Sequence, residues 1–309
     1  MKSLRCTLAA LTLAGAAHSA LAADTLDIIV PFSAGGATDI VARSLEPILS
    51  RELGVTSVIR NVAGASATLG TIEVANSQGN PNILEYVPAG ALSIQPTLKS
   101  LPYELDSFRY ICRTVSNPMY LMVSKSSGIK SFPELVNRSK ERSLLYGSSG
   151  PGTLPHLAMA ALVVHSQLDA RHIPYRGTGN AMNALAGDEI QVVAGTDTIL
   201  TNYDLRPLAI FALQRDPNYA DVPTIKELGV GKLEFSVWQG LIAPEGISEK
   251  RFRQYSEACE AALKTPEFRE FADKANVNIA YLDQEEFKKF VTKRYEDNKS
   301  VLETSGLIK

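Results

Sequence analysis

Short apolar blocks alternate along this chain with longer blocks whose apolar residues recur three and four apart. The first kind reads as buried strand, the second as amphipathic helix. Leu26–Pro31, Thr56–Arg60 and Ile83–Val87 are expected strands, with helices over Thr38–Leu53 and Thr68–Asn76 between them. The first helix carries Ile40, Val41, Leu45, Ile48, Leu49 and Leu53 on one side, and Pro47 inside it implies a kink or an early end. Further along, Tyr120–Ser124, Leu144–Gly147, Arg171–Tyr175 and Ile190–Ala194 read as strands. Helices are expected over Ser131–Ser139, Pro155–Gln167 and Asn180–Ala186, the last closed by Gly187. Ser131-Phe132-Pro133-Glu134 has capping-box spacing with proline just inside the helix. From Ser248 onward the chain is mostly charged amphipathic helix. Such alternation predicts an α/β protein with open, mainly parallel sheets, whose ligands bind beyond the carboxyl ends of the strands.

Two strand-to-helix junctions stand out. Ile28 to Asp39 runs from an apolar block through a proline and the pair Gly35-Gly36 to Thr38-Asp39 at a helix start. Leu144 to Thr153 runs into Gly147-Ser148-Ser149-Gly150-Pro151-Gly152. Junctions of this kind aim free backbone N–H groups at one place, where the helix dipole also favours an anion. The segments Pro31–Thr38, Tyr86–Leu98 and Ser143–Pro155 contain no Asp, Glu, Lys or Arg. Neutral loops rich in amides and hydroxyls suit a carboxylate held without a buried arginine.

At the N-terminus, Lys2 and Arg5 precede an apolar stretch from Leu8 to Ala17, and Ala20-Leu21-Ala22 fits a small-x-small cleavage site. This is the pattern of a secretory signal peptide over residues 1–22, too short for a membrane span. The whole chain has 31 basic and 33 acidic residues. Export leaves a mildly acidic product with a net charge of about −4, and no basic run points to nucleic acid. Cys112 and Cys259 can pair in an oxidising compartment or remain buried thiols.

Catalytic motifs are incomplete. The turn around Ser148 misses the G-x-S-x-G nucleophile pattern because Pro151 holds its last position. Gly177-Thr178-Gly179 begins like a dinucleotide fingerprint, but Met182 replaces the third glycine. His156, His165 and His172 lack metal-ligand spacing, so neither a metal nor a cofactor is expected. A secreted hydrolase using Ser148 or Ser149 with His156 is the enzyme alternative. Asp39 suits helix capping, and Asp197, beyond another strand, suits loop organisation or ligand contact.

The chain resembles the Bug-type solute-binding proteins of tripartite tricarboxylate transporters along nearly its whole exported length. The resemblance rests on V-P-F-x-A-G-G-x-x-D at Val30–Asp39, N-x-x-G-A-x-x-T-x-G at Asn61–Gly70 and an I-N-P-x-L-x-x-L-P-Y-like run at Ile94–Tyr103, with Gln95 at its second position. It continues through Tyr146–His156, Pro174–Gly177, Asp221–Gly229 and Trp238–Pro244. The resemblance implies a two-lobed periplasmic binding protein of type II, with residues 23–122 and 238–309 in lobe 1 and 123–237 in lobe 2. Two connecting strands, near Met119–Lys125 and Ser236–Pro244, form the expected hinge. It also implies a monomeric periplasmic protein, not an enzyme, that delivers a small organic carboxylate to membrane transporter subunits. Carried over, Ser33, Ala34, Gly35, Gly36, Thr38 and Asp39 line one wall. Ser148, Ser149, Gly150, Thr153 and His156 line the other, with Ala89, Gly90, Ala91 and Asp197 beside the ligand. Two departures are visible. Gly79-Asn80-Pro81-Asn82 replaces a D-G-Y-T-like turn, and the stretch from Asp197 to Leu208 is short. The second predicts loss of a short helix, a reshaped cleft and, as an alternative role, sensing through a membrane kinase.

Overall fold

Strand β1 (Leu26–Val30) directs Leu26, Ile28 and Val30 to one face of a sheet and Ile29 to the other, as a period of two requires. In the computed structural model, which describes residues 25–175 and 177–308, both faces are covered by helices. The expected leader, residues 1–22, lies outside the described residues. Helix α1 (Ala37–Leu53) packs Val41, Leu45, Ile48 and Leu49 on the first face. It runs through Pro47 without ending, and Pro47 lies on its exposed side. Ile40, assigned to the apolar side by spacing, is 45% exposed.

The chain continues through β2 (Ser57–Asn61), α2 (Thr68–Ala75), β3 (Ile83–Pro88), α3 (Ala89–Ser93), α4 (Gln95–Leu98) and β4 (Phe108–Pro118). It enters a second sheet with β5 (Tyr120–Ser124), α5 (Phe132–Glu141), β6 (Leu144–Ser148), α6 (Leu154–His165), β7 (Ala170–Pro174), α7 (Thr178–Ala186), β8 (Val192–Gly195), α8 (Asp197–Asn202) and β9 (Leu205–Ile210). It returns through β10 (Ser236–Pro244) and closes with α9 (Glu249–Lys264), α10 (Pro266–Ala275), β11 (Ile279–Leu282) and α11 (Gln284–Thr304). The first sheet has the order β11-β4-β10-β3-β1-β2 and the second β7-β6-β8-β5-β9. Strands β1, β2 and β3 are mutually parallel, as are β6, β7 and β8, while β10 and β5 run against their neighbours. The carboxyl ends of the parallel strands carry the loops that periodicity singled out. Strands β4 and β11 escape the periodic reading, since buried Thr114 and Asn117 and half-buried Arg109 and Arg113 break up β4.

The helix expected to be lost after Asp197 is retained as α8. Thr196 enters it in extended conformation, the Ile199 N–H donates to Thr196 O at 3.0 Å, and the Thr198 N–H donates to Asp197 Oδ1 at 2.9 Å. A local hydrogen-bonding start therefore survives the shortening.

The chain passes between the sheets at Met119 and again between Phe211 and Phe235. These residues are joined in a ring of backbone bonds: Phe211 N–H to Met119 O at 2.8 Å, Phe235 N–H to Phe211 O at 3.0 Å and Met119 N–H to Phe235 O at 3.1 Å. All three are buried. Cys112 of β4 and Cys259 of α9 form a disulfide, so the pairing that sequence left open exists within the first sheet and its covering helix. Among the described residues no helix is long and apolar enough to cross a membrane.

Candidate functional site

The first wall is the turn from β1 into α1. Gly35 has φ +81°, a left-handed conformation that favours glycine, whereas Gly36 is extended at φ −79° and precedes the helix. The Gly35 N–H donates to Asp39 Oδ2 at 2.8 Å, and Arg43 Nε donates to the same oxygen at 2.9 Å. Asn61 Nδ2 donates to Asp39 Oδ1 at 2.8 Å and to Phe32 O at 2.9 Å. Burial alone would raise the Asp39 carboxyl, but the bonds from Arg43, Gly35 and Asn61 outweigh it and hold it below the usual carboxylate range. Asp39 thus faces inward and fixes the turn. Ser33, Ala34, Gly36 and Ala37 are exposed, and among the described residues no acceptor takes their N–H groups. Thr38 is buried, and its Oγ1 accepts from Gln239 Nε2 at 3.1 Å.

The second wall is the turn from β6 into α6. Ser148 is 2% exposed, and its hydroxyl is spent within the turn: Oγ lies 2.9 Å from Gly150 O, 3.2 Å from the Gly150 N–H and 2.7 Å from His172 Nε2. Thr153 Oγ1 donates to Gly150 O at 2.8 Å. The Gly152 N–H donates to His156 Nδ1 at 3.0 Å, which requires that nitrogen to be unprotonated. His156 stacks on His172 with centroids 3.9 Å apart. Ser149 is half-buried, and among the described residues neither its N–H nor its hydroxyl has a protein partner. Gly150 and Gly152 take φ of +134° and +66°. The hydrolase pairing of Ser148 with His156 does not form, since Ser148 faces His172.

The turn therefore hangs on two neutral imidazoles. Burial lowers the affinity of His156 for a proton, and burial followed by the charge of His156 pushes His172 down to about 4. A histidine kept neutral in the fold stabilises it fully above the free imidazole value of about 6.5. That contribution is lost progressively as pH falls from there towards about 4. Thermal stability is expected to drop over this window, and His172→Gln should flatten the drop in melting curves recorded between pH 4 and 7.

A third wall meets the second. Ala89 and Ala91 are buried, and only Gly90 reaches the opening, where a Cβ would lie 4.0 Å from Gly152 O. Gln95 Nε2 donates to Gly152 O at 2.8 Å and Ser66 Oγ donates to Pro151 O at 3.2 Å, so the first sheet's loops grip the second's. Ser66 lies in a run of three left-handed residues, Ala65, Ser66 and Ala67, at φ 48°, 61° and 80°. Each costs about 1–2 kcal/mol relative to a right-handed residue, and such strain collects where a loop must hold a functional shape. Beneath the run, Thr71 Oγ1 lies 3.1 Å from Ala67 O and 2.8 Å from Glu85 Oε1. Burial pushes the Glu85 carboxyl up to about 8. Gln95, Gly152 and Ser66 were not among the residues expected in the site. Gln95 lies in a charge-free segment and Ser66 in a motif, but nothing in three small residues signals left-handed backbone.

Asp197 is buried, and Asn117 Nδ2 donates to its Oδ1 at 2.8 Å. Burial raises this carboxyl, against the hydrogen bonds from Asn117 and the Thr198 N–H. Asn117 also donates to Asn276 O at 2.8 Å, joining β4 to α8 and to the approach to β11.

Parallel strand ends from two sheets facing one opening are the geometry of a bilobal binding protein. The sequence pattern of the TctC group, the tripartite tricarboxylate transporter family receptors, matches residues 41–307. The chain belongs to this family. It is a solute-binding receptor and not an enzyme. A Cupriavidus necator protein described as "UPF0065 protein in gbd 5'region" is 29% identical over 287 residues, 91% of this chain and 88% of the relative. The solved periplasmic binding protein BugD is 28% identical with a TM-score of 0.83, over 91% of this chain and 97% of that one. A Rhodopseudomonas palustris protein solved with adipate has the same fold at 23% identity and a TM-score of 0.84, over 91% of this chain and 97% of that one. The receptor is thus a two-lobed type II binding protein.

Proposed function

We propose that this receptor captures a small organic carboxylate in the periplasm and delivers it to the membrane subunits of a tripartite tricarboxylate transporter, acting as a monomer. The leader at residues 1–22 directs its export. The lobes are residues 23–122 with 238–309, and 123–237, apart from the two or three residues by which β10 and β5 overrun these bounds, and they close about the backbone ring of Met119, Phe211 and Phe235. The observation that carries this reading is the set of unspent donors on two strand-to-helix turns, one in each lobe. The N–H groups of Ser33, Ala34, Gly36 and Ala37 come from one lobe, and the Ser149 N–H and hydroxyl from the other. Donors at helix starts stabilise a carboxylate without a counter-charge. Asp39, Ser148, Thr153 and His156 serve this site by fixing the turns, with Gly35, Gly150 and Thr38. Gly90 borders it, with Ala89 and Ala91 behind, and Asp197 stands at the hinge side. Adipate in the fold neighbour agrees with the ligand class. The retention of α8 removes the departure that favoured sensing.

A thermal-shift screen of mono- and dicarboxylates tests the reading. A ligand at a hundredfold excess over its Kd stabilises by about 2.7 kcal/mol, a rise of roughly 5 °C for a chain of this size. No rise with any carboxylate would overturn it. Ser149→Ala is expected to weaken the ligand that responds by about 1.5–3 kcal/mol, the contribution of a hydrogen bond to a charged group, with little change in the melting temperature of the free protein. Calorimetric titration reads both.

A further inference from the structure

A small chamber of about 40 Å³ lies where the lobes meet beside α1, lined by Ala37, Val115, Asn117, Thr196, Thr198 and Gln239 among others. Both lobes contribute, Thr196 and Thr198 from the start of α8 and the rest from the first sheet and the helices packed on it. Gln239 is the informative member. It sits in mid-strand β10, paired with Pro88 on one side and Val115 on the other, so its backbone is fixed. The side chain is 4% exposed, and Nε2 is held by Thr38. Its Oε1 is fully buried with no protein partner among the described residues. A buried carbonyl oxygen is ordinarily satisfied, and a lone one beside a cavity asks for a donor from outside the chain. Around it the chamber holds no Lys or Arg. Asp197 stands behind its wall, bonded to Asn117. The rest of the chamber is mainly apolar, with Ile40, Val41, Val237, Ala275 and Val277 in its walls, so the unpaired Gln239 oxygen stands in apolar surroundings, whereas the adjoining first turn of α1 is donor-rich. Thr38 links the two, being in that turn and bonded to Gln239.

We propose that Gln239 selects carboxylates that also carry a hydrogen-bond donor, a hydroxyl or an ammonium group, which enters this chamber while the carboxylate lies on the amides of α1. This rests on the carboxylate reading above and names the ligand class within it. A second carboxylate in the chamber would face the Gln239 carbonyl, which repels it, among apolar walls that do not solvate its charge. A hydroxyl or ammonium would complete the unpaired oxygen. Because the chamber closes only with Thr196 and Thr198 in place, the same contact favours the closed form.

The test is calorimetry on the full exported chain with three matched series: propionate, lactate and alanine; succinate, malate and aspartate; glutarate, 2-hydroxyglutarate and glutamate. In a series that binds, a donor-bearing member is expected to bind about tenfold more tightly than its plain parent, the scale of one well-placed hydrogen bond. Gln239→Leu should abolish that preference, read as the ratio of Kd values between the donor-bearing and plain members of one series. Gln239→Met provides the same comparison should the branched side chain impair folding, and circular dichroism checks both variants. Plain members binding as tightly as their donor-bearing partners would overturn the inference and leave the carboxylate reading standing. A preference that survives both substitutions would overturn the assignment to Gln239. Binding by none of the nine probes would overturn the carboxylate reading and this inference with it.

Discussion

Gly152→Val is expected to weaken ligand binding by about 100-fold, or some 2.7 kcal/mol, while the free receptor stays folded. The Gly152 backbone is left-handed, and a Cβ there would come within 2.2 Å of Leu98 Cδ1 and 2.8 Å of Gln95 Nε2. Both neighbours belong to the other lobe. The collision therefore arises only when the lobes meet, and the variant shifts the equilibrium towards the open form. Gln95 is fully buried, so its amide cannot swing into solvent to relieve the contact. Gly128→Val is the control. Gly128 is also left-handed, at φ +72°, but nothing lies within 4 Å of the added carbon. It carries the backbone cost without the collision, and binding should survive. Small-angle scattering should show compaction with ligand in the parent and the control, and none in Gly152→Val. Equal affinity in Gly152→Val and the parent would mean that docking of this turn plays no part in capture.

Loss of the disulfide is expected to lower the melting temperature by roughly 6 °C, the effect of about 3 kcal/mol on a chain of this size. Cys112 and Cys259 are 147 positions apart, and the loop they close contains the whole second lobe. Cross-linking its ends, the strand that leaves the first lobe and the helix after the strand that returns, restricts the unfolded chain more than a short loop does. Both residues are fully buried between β4 and α9. The double variant Cys112→Ala with Cys259→Ala should melt low and ignore dithiothreitol, whereas the parent should fall to the same temperature when reduced. Ligand affinity should hold, because the bond lies away from the facing turns. A parent indifferent to reduction would show that the cross-link contributes nothing to stability.

The architecture was largely legible in the sequence because periodicity is local. The period of two in Leu26–Val30, the helical spacing in Val41–Leu49 and the cap at Ser131 each depend on neighbours a few residues away. The Ser131 cap is present, with the Glu134 N–H donating to its hydroxyl. The two neutral junctions were legible for the same reason, since glycine, proline and small hydroxyl residues in one short run force a turn whatever surrounds it. Long-range contacts were not legible. Strand β4 is polar enough to hide among loops, and its burial comes from β10 and β11 on either side. Spacing set Ser148 near His156, but the parallel register of β6 with β7 brings His172 across to it instead. Asp39 and Ser149 are both small polar residues in glycine-rich turns; only the fold decides that one is spent holding its turn and the other left open. Gln95 against Gly152, the left-handed run at Ala65–Ala67, and the unpaired oxygen of Gln239 all arise where segments distant in sequence converge. The sequence by itself determined the helices, most strands and the neutral character of the cleft. The tertiary structure alone decided which donors remain unspent, because that depends on partners brought together by packing and not by order along the chain.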